Sequence, residues 1–197
     1  VCSSDLRTKI NSREFPASKN IILSVARLEA QKDLQTLLKS FAKVSSNNEV
    51  VLLIVGSGSE EINLRNYAKA LDIDKDVYFL GQRSNLDELY ASADVFVLTS
   101  KYEGFGLVLL EAMQSKIPIV ASNNTAIPEV LGESHPGLCQ TGNYLEFATK
   151  IIQMFSSSNR DSVVTYQNLQ LKKFDIENTA KEHMSCYLDM KNKLNEK

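Results

Sequence analysis

The sequence predicts a doubly wound α/β domain, a parallel sheet of about six strands flanked by helices. Two observations carry this. Short apolar runs rich in branched residues recur with almost no polar interruption, as strands covered on both faces require. Between them lie segments whose apolar residues fall at helical spacing.

The elements follow in order. "IILSVAR" (21–27) reads as the first strand. "DLQTLLKSFAKV" follows, with Leu34, Leu37, Leu38 and Phe41 on one helical face and Asp33 placed to cap it. "VVLLIVG" precedes the helix-like "EEINLRNYAKALDI", and "DVYFLG" precedes "NLDELYASA". "DVFVLTS" leads into "GLVLLEAMQSK", and "IPIVAS" into the short "TAIPEVLG". "GLCQ" leads into "NYLEFATKIIQMFSSS". Beyond residue 157 no strand pattern remains, and "SVVTYQNLQLKKF" and "IENTAKEHMSCYLDMKNKL" read as helices. Residues 1–18 are polar and unpatterned, as a leader or linker remnant would be.

Composition narrows the function classes. The 197 residues suit one domain, and 43% hydrophobic content is enough for a buried core. A net charge of −2 offers no basic field to nucleic acid. No apolar run has the length of a bilayer span, and residues 1–20 lack an apolar stretch behind a basic start. Cys2, Cys139 and Cys186 are far apart and show no metal-ligand spacing, so they read as incidental thiols of a reducing, cytoplasmic compartment. His135 and His183 stand alone, which argues against metal or triad roles.

The polar exceptions cluster after the expected strand ends, where open α/β sheets bind ligands. Arg27 ends the first run and Lys32 follows; "GSG" ends the second, "GQR" the third, "KYEGFG" the fourth and "SNNTAIPE" the fifth. Each has a bland alternative. "VGSGSEE" is an incomplete dinucleotide fingerprint, because Glu61 stands where a third glycine belongs and Glu60 and Glu61 would repel a pyrophosphate. A tight strand-to-helix turn is the better reading there. Arg27 and Lys32 are either surface charges or a pair of cations suited to a diphosphate. Glu103 is either a capping carboxylate or a ligand group beside Gly104 and Gly106, whose backbone admits close approach at a helix N-terminus. Glu111 sits among Val108, Leu109, Leu110, Ala112 and Met113. A carboxylate there costs several kcal/mol unless partnered, by vicinal sugar hydroxyls or by a buried lysine or arginine.

"EGFGLVLLE" resembles the E-x7-E signature of retaining glycosyltransferases, specifically family 4 with the GT-B architecture. "SVARLEAQKDLQTLLKSFA" resembles that family's R-L-x-x-x-K-G segment, and "PIVASNNTAIPEVLGE" its G-G-x-P-E stretch. "VLLIVGSGSEEINLRNYAKAL" and "VYFLGQRSNLDELYASADVFVLTS" resemble the elements between. "FDIENTAKEHMSCYLDM" looks like the closing helix. The likeness spans roughly residues 18–190. It implies a Rossmann-like, nucleotide-sugar-binding lobe over 19–174 and a C-terminal helix over 175–197 returning toward a separate acceptor lobe. Asp33, where glycine is usual after the lysine, and Ala126, where glycine is common, are departures.

The roles implied carry over by position. Arg27 and Lys32 hold the donor diphosphate and, with Glu103, form the catalytic set. Glu103 contacts the donor sugar, the backbone of Gly104, Phe105 and Gly106 underlies sugar and phosphate, and Glu111 binds the ribose. Gly56, Arg83 and Leu107 complete the donor-binding set, with Arg83 near the nucleobase. The resemblance implies transfer of a sugar from a nucleoside diphosphate sugar with retention, in polysaccharide or lipopolysaccharide synthesis. The acceptor glycan or lipid-linked glycan would reach the other lobe, at the inner face of a membrane. No metal or other cofactor is expected, two cations taking the place of a divalent ion. The rival readings are a non-catalytic nucleotide-binding module, a GT-B sugar-nucleotide epimerase, and a flavodoxin-like or NAD-binding domain.

Overall fold

The computed structural model describes residues 19–84, 86–174 and 184, and the backbone of residues 9, 10, 13 and 14. Most of the segments expected as a leader (1–18) and a closing helix (175–197) lie outside these residues. Within the former, Lys9–Ile10 and Arg13–Glu14 pair as a short antiparallel ladder that the polar sequence did not announce.

The main sheet is parallel and six-stranded. Its strands are β1 (Asn20–Val25), β2 (Val50–Val55), β3 (Val77–Phe79), β4 (Val95–Leu98), β5 (Ile119–Ser122) and β6 (Leu138–Cys139). Their spatial order is β3-β2-β1-β4-β5-β6, with β1 in register against β2 from Asn20↔Val50 to Val25↔Val55. The helices are α1 (Leu34–Ser45), α2 (Glu61–Ala70), α3 (Asp87–Ser92), α4 (Leu107–Gln114), α5 (Ile127–Leu131), α6 (Tyr144–Met154) and α7 (Ser157–Leu171).

Strand alternation divides the core into two layers. Ile21, Leu23, Val51 and Leu53 pack with Leu109, Ala112 and Met113 of α4 and Val130 of α5. Ile22, Leu52 and Ile54 point the other way, onto Leu37, Leu38 and Phe41 of α1, Leu64 of α2 and Phe147 of α6. Burial on both faces is why these strands read as unbroken apolar runs. The expected side-chain cap at Asp33 is not made. The residue is left-handed (φ 47°), and its carboxylate accepts instead from the Thr36 hydroxyl at 2.8 Å. A left-handed turn is the conformation that glycine adopts freely, and Asp33 adopts it here.

Helix α7 is tied to β5 through Gln167, which is fully buried. Gln167 accepts from Ile119 N–H at 3.0 Å and donates to Ile117 O at 2.8 Å. His135 joins this knot. Gly137 N–H donates to its Nδ1 at 3.0 Å, so the ring proton sits on Nε2, 3.2 Å from Gln167 Oε1. Burial pushes the imidazole pKa down to about 4; Gln167 opposes the shift and the nearby Lys150 charge adds to it. In the unfolded chain the ring titrates near 6.5. Between these values the unfolded state binds a proton that the folded state refuses. The stabilisation is complete above the upper value and is lost as pH falls toward the lower one. In urea unfolding, lowering the pH from about 7 to about 4 is expected to cost the wild type roughly 3 kcal/mol more than His135→Gln. Equal losses would refute this account.

Candidate functional site

The strand order reverses between β1 and β4, since β2 and β3 lie to one side and β5 and β6 to the other. The chain therefore leaves β1 and β4 toward helices on opposite faces, and the carboxyl edge between them is where a crevice forms in sheets of this kind. The β1 loop is anchored by Leu28, fully buried, whose N–H donates to Ser57 O at 2.9 Å. A 3₁₀ turn (Ala30–Lys32) and the left-handed Asp33 then bring the chain into α1. Across the crevice, Thr99 Oγ1 donates to Lys32 O at 3.0 Å and Lys101 N–H to Gln31 O at 2.8 Å. Glu29 accepts from the Ser59 hydroxyl (2.9 Å) and N–H (3.3 Å), tying the loops after β1 and β2. Those bonds, with the Arg27 charge, hold its carboxyl below the usual range.

Lys32 and Glu103 meet at the centre. Lys32 Nζ lies 2.6 Å from Glu103 Oε1, and the two side chains are only 12% and 10% exposed. Ser100 Oγ donates to the same Oε1 at 2.7 Å. Glu103 Oε2 accepts no bond among the described residues. Glu103 is not a helix cap, since the N-cap of α4 is Gly106; its carboxylate meets Lys32 and Ser100 instead.

The loop from Glu103 to α4 is shaped by Gly106, whose φ of 84° is left-handed. Gly104 differs, since a Cβ there would meet nothing within 4 Å. It borders open space, as a position approached by a ligand would. Leu107, at the start of α4, is 66% exposed. The Phe105 ring stands edge-on to Phe174 beyond α7, with centroids 5.7 Å apart.

Glu111 is half-buried on α4, and its partner is a tyrosine, neither a lysine nor an arginine. Tyr90 Oη, on α3, donates to Glu111 Oε2 at 2.7 Å. Burial raises the Tyr90 pKa, and the Glu111 bond and charge raise it further, so the phenol stays a donor. Glu111 Oε1 accepts nothing among the described residues.

A cleft of about 350 Å³ gathers Arg27, Gly56, Ser57, Gln82 and Arg83 with the apolar Val25, Val55, Leu86 and Val108. Arg83 Nε also donates to Leu80 O at 3.1 Å. Of the residues singled out in the sequence, Arg27, Gly56 and Arg83 thus share one cleft. Lys32 joins Glu103, and Glu111 joins Tyr90, outside its lining. Gly56 keeps the bland role expected of its turn, because Ala26 O lies 1.9 Å from where its Cβ would stand. Sequence reasoning did not single out Tyr90 or Ser100, and it marked Asn124 and Thr125 only as part of "SNNTAIPE". Tyr90 reads as one more core aromatic, and nothing local marks its hydroxyl as a carboxylate's partner.

Among the described residues no helix is long and apolar enough to cross a membrane, and no three His, Cys, Asp or Glu side chains converge as a metal site. The chain is 31% identical to the N-acetyl-alpha-D-glucosaminyl L-malate synthase of Bacillus anthracis, over 88% of this chain and 46% of that protein. It is 28% identical to the O-antigen chain mannosyltransferase B of Escherichia coli, over 95% of this chain and 52% of that one. It therefore spans about half the length of these relatives. The crystal structure of Anabaena HepE in complex with UDP and glucose has the same fold. It gives a TM-score of 0.81 at 24% identity, over 95% of this chain and 52% of HepE. The family model for glycosyl transferases group 1 matches residues 6–170, and the chain belongs to that family, with the sheet and helices of one GT-B lobe.

Proposed function

We propose that the chain is the donor-binding lobe of a retaining, family 4 glycosyltransferase and holds a nucleoside diphosphate sugar in the crevice between β1 and β4. One observation carries this reading. Each of the two glutamates of the E-x7-E segment engages the protein through one oxygen and leaves the other open. A carboxylate held in this way is a ready acceptor for a hydroxyl, and a sugar and a ribose both present hydroxyls. The UDP and glucose in the Anabaena protein support the choice of ligand.

In this reading Arg83 and Leu86 border the base, Glu111 Oε1 takes a ribose hydroxyl, and Glu103 Oε2 takes a sugar hydroxyl. Gly56 and Leu107 line the approach, and the backbone of residues 104–106 lies under the sugar and phosphate. When the bond from the anomeric carbon to the diphosphate breaks, the electron pair leaves with the diphosphate. Arg27, Lys32 and the N-terminus of α4 stabilise that charge. Lys32 has three N–H donors, so it can keep Glu103 while meeting a phosphate oxygen. The acceptor hydroxyl, from a glycan or lipid-linked glycan on the other lobe, forms the new bond to the anomeric carbon on the same face, and its O–H proton passes to the departing diphosphate oxygen. The Escherichia coli relative, named for O-antigen, supports a place in surface polysaccharide synthesis.

The test is a thermal-shift panel on this chain with UDP, GDP, ADP, NAD and FMN, repeated with Glu111→Ala. Ligand at a hundredfold excess over Kd adds about 2.7 kcal/mol, a shift of roughly 5–10 °C at this size. A shift with one nucleoside diphosphate, lost in Glu111→Ala, is expected. A shift with NAD or FMN alone would sink the reading.

A further inference from the structure

Thr125 stands in the loop between β5 and α5 with φ 45°. A β-branched residue in the left-handed region is an outlier that the surrounding structure must hold in place. What holds it is its hydroxyl. Glu103 N–H donates to Thr125 Oγ1 at 3.0 Å, and that hydroxyl donates to Asn124 Oδ1 at 3.2 Å. Asn124 in turn shares its Nδ2 protons among Ser100 O (3.1 Å), Lys101 O (3.0 Å) and Thr141 Oγ1 (2.7 Å). Ser100 is the residue whose hydroxyl grips the Glu103 carboxylate, and it is fully buried.

These bonds form one clamp. Glu103 is fixed at its side chain by Lys32 and Ser100 and at its backbone by Thr125. Asn124 joins the backbone carbonyls of Ser100 and Lys101 to the loops after β5 and β6. The strained conformation is the one that aims the Thr125 hydroxyl at Glu103.

We propose that Thr125 is a positioning residue for the sugar-contacting glutamate. It orients Glu103 through that backbone bond and thereby sets affinity for the sugar part of the donor, not for its nucleotide. This rests on the donor-site reading above. Thr125 itself touches no reacting atom. It acts through Glu103, and the part of the ligand that feels it is the part that Glu103 meets.

The test compares wild type, Thr125→Gly and Thr125→Ser by calorimetry with UDP, GDP and ADP, and with UDP-glucose, GDP-mannose and ADP-glucose. Glycine occupies a left-handed φ without steric cost but has no hydroxyl; serine keeps the hydroxyl without the branch. Thr125→Gly is expected to bind the sugar nucleotide roughly threefold to tenfold more weakly, the scale of one lost hydrogen bond. Its affinity for the matching nucleoside diphosphate and its melting temperature should stay at or above the wild-type values. Thr125→Ser should restore sugar-nucleotide affinity. Equal losses for sugar nucleotide and bare diphosphate would overturn the inference, because they indicate a general structural role. So would an unchanged sugar-nucleotide affinity in Thr125→Gly, or a failure of serine to rescue it. A wild-type chain that binds none of the six ligands would overturn the donor-site reading itself, and the inference with it.

Discussion

Gly56→Ala is expected to destabilise the chain by about 4 kcal/mol or more, enough to lower its melting temperature by roughly 8–16 °C. Gly56 closes β2 with φ 134°, a conformation essentially confined to glycine. Its missing Cβ would stand 1.9 Å from Ala26 O and 2.9 Å from Ala26 C. These are backbone atoms, so no rotamer change can make room. Neither strand end can retreat alone, because Ala26 N–H donates to Val55 O at 3.0 Å and Gly56 N–H to Gly81 O at 2.9 Å. Displacing this junction would also move Arg27, the next residue along. Gly104→Ala is the control, since its Cβ would enter open space, and a surface change of this kind stays within about 0.5 kcal/mol. Thermal melts followed by circular dichroism should separate the two variants widely. Similar melting temperatures would refute the close-approach account of Gly56.

Lys32→Ala should weaken binding of the nucleoside diphosphate sugar at least about tenfold and, in the intact enzyme, lower transfer by roughly 10²–10³-fold. In the proposed donor-site reading it removes a diphosphate cation, and it strips Glu103, only 10% exposed, of its counter-ion at 2.6 Å. Truncating one partner of a buried pair leaves an uncompensated charge, and for this partly buried pair a stability loss of about 2–3 kcal/mol is expected. The double substitution Lys32→Met with Glu103→Gln separates the two effects. It leaves no stranded charge, and Ser100 can still donate to the amide oxygen, so most of the stability should return while donor binding does not. Urea unfolding and calorimetry on the single and double variants provide the check. If the double variant were no more stable than Lys32→Ala, the stranded-charge explanation would fail.

The fold was legible because its strands are covered on both sides. A run such as "VVLLIVG" can be little else when glycine and a helical period follow it. The strand ends were legible for the same reason, since polar residues directly after such runs must emerge at the sheet's carboxyl edge. Arg27, Lys32 and Glu103 were placed at that edge in this way. Their grouping was not legible. Which cation faces the cleft and which faces the carboxylate depends on how the chain turns through residues 28–33, and a left-handed Asp33 carries no strong single-residue signal. Tyr90 and Glu111 are joined by a contact across 21 residues that no local period encodes. Asn124 and Thr125 look like ordinary turn residues. Their bonds to the β4 loop exist only because β4 and β5 are neighbours. The ladder at residues 9–14 is too short and polar to leave a pattern.

The engagement of Glu103 by Lys32 and Ser100, and of Glu111 by Tyr90, has a thermodynamic consequence for recognition. A glutamate on an open surface samples many rotamers, and immobilising such a side chain on association costs about 0.5–1.5 kcal/mol. Here both carboxylates are ordered before any ligand arrives. That entropy is surrendered when the chain folds and is not charged against binding. In the donor-site reading proposed above, discrimination among ligands then depends on whether their hydroxyls fall where two stationary oxygens already wait. A ligand whose hydroxyls sit elsewhere finds carboxylates that cannot follow it without breaking bonds to Lys32, Ser100 or Tyr90.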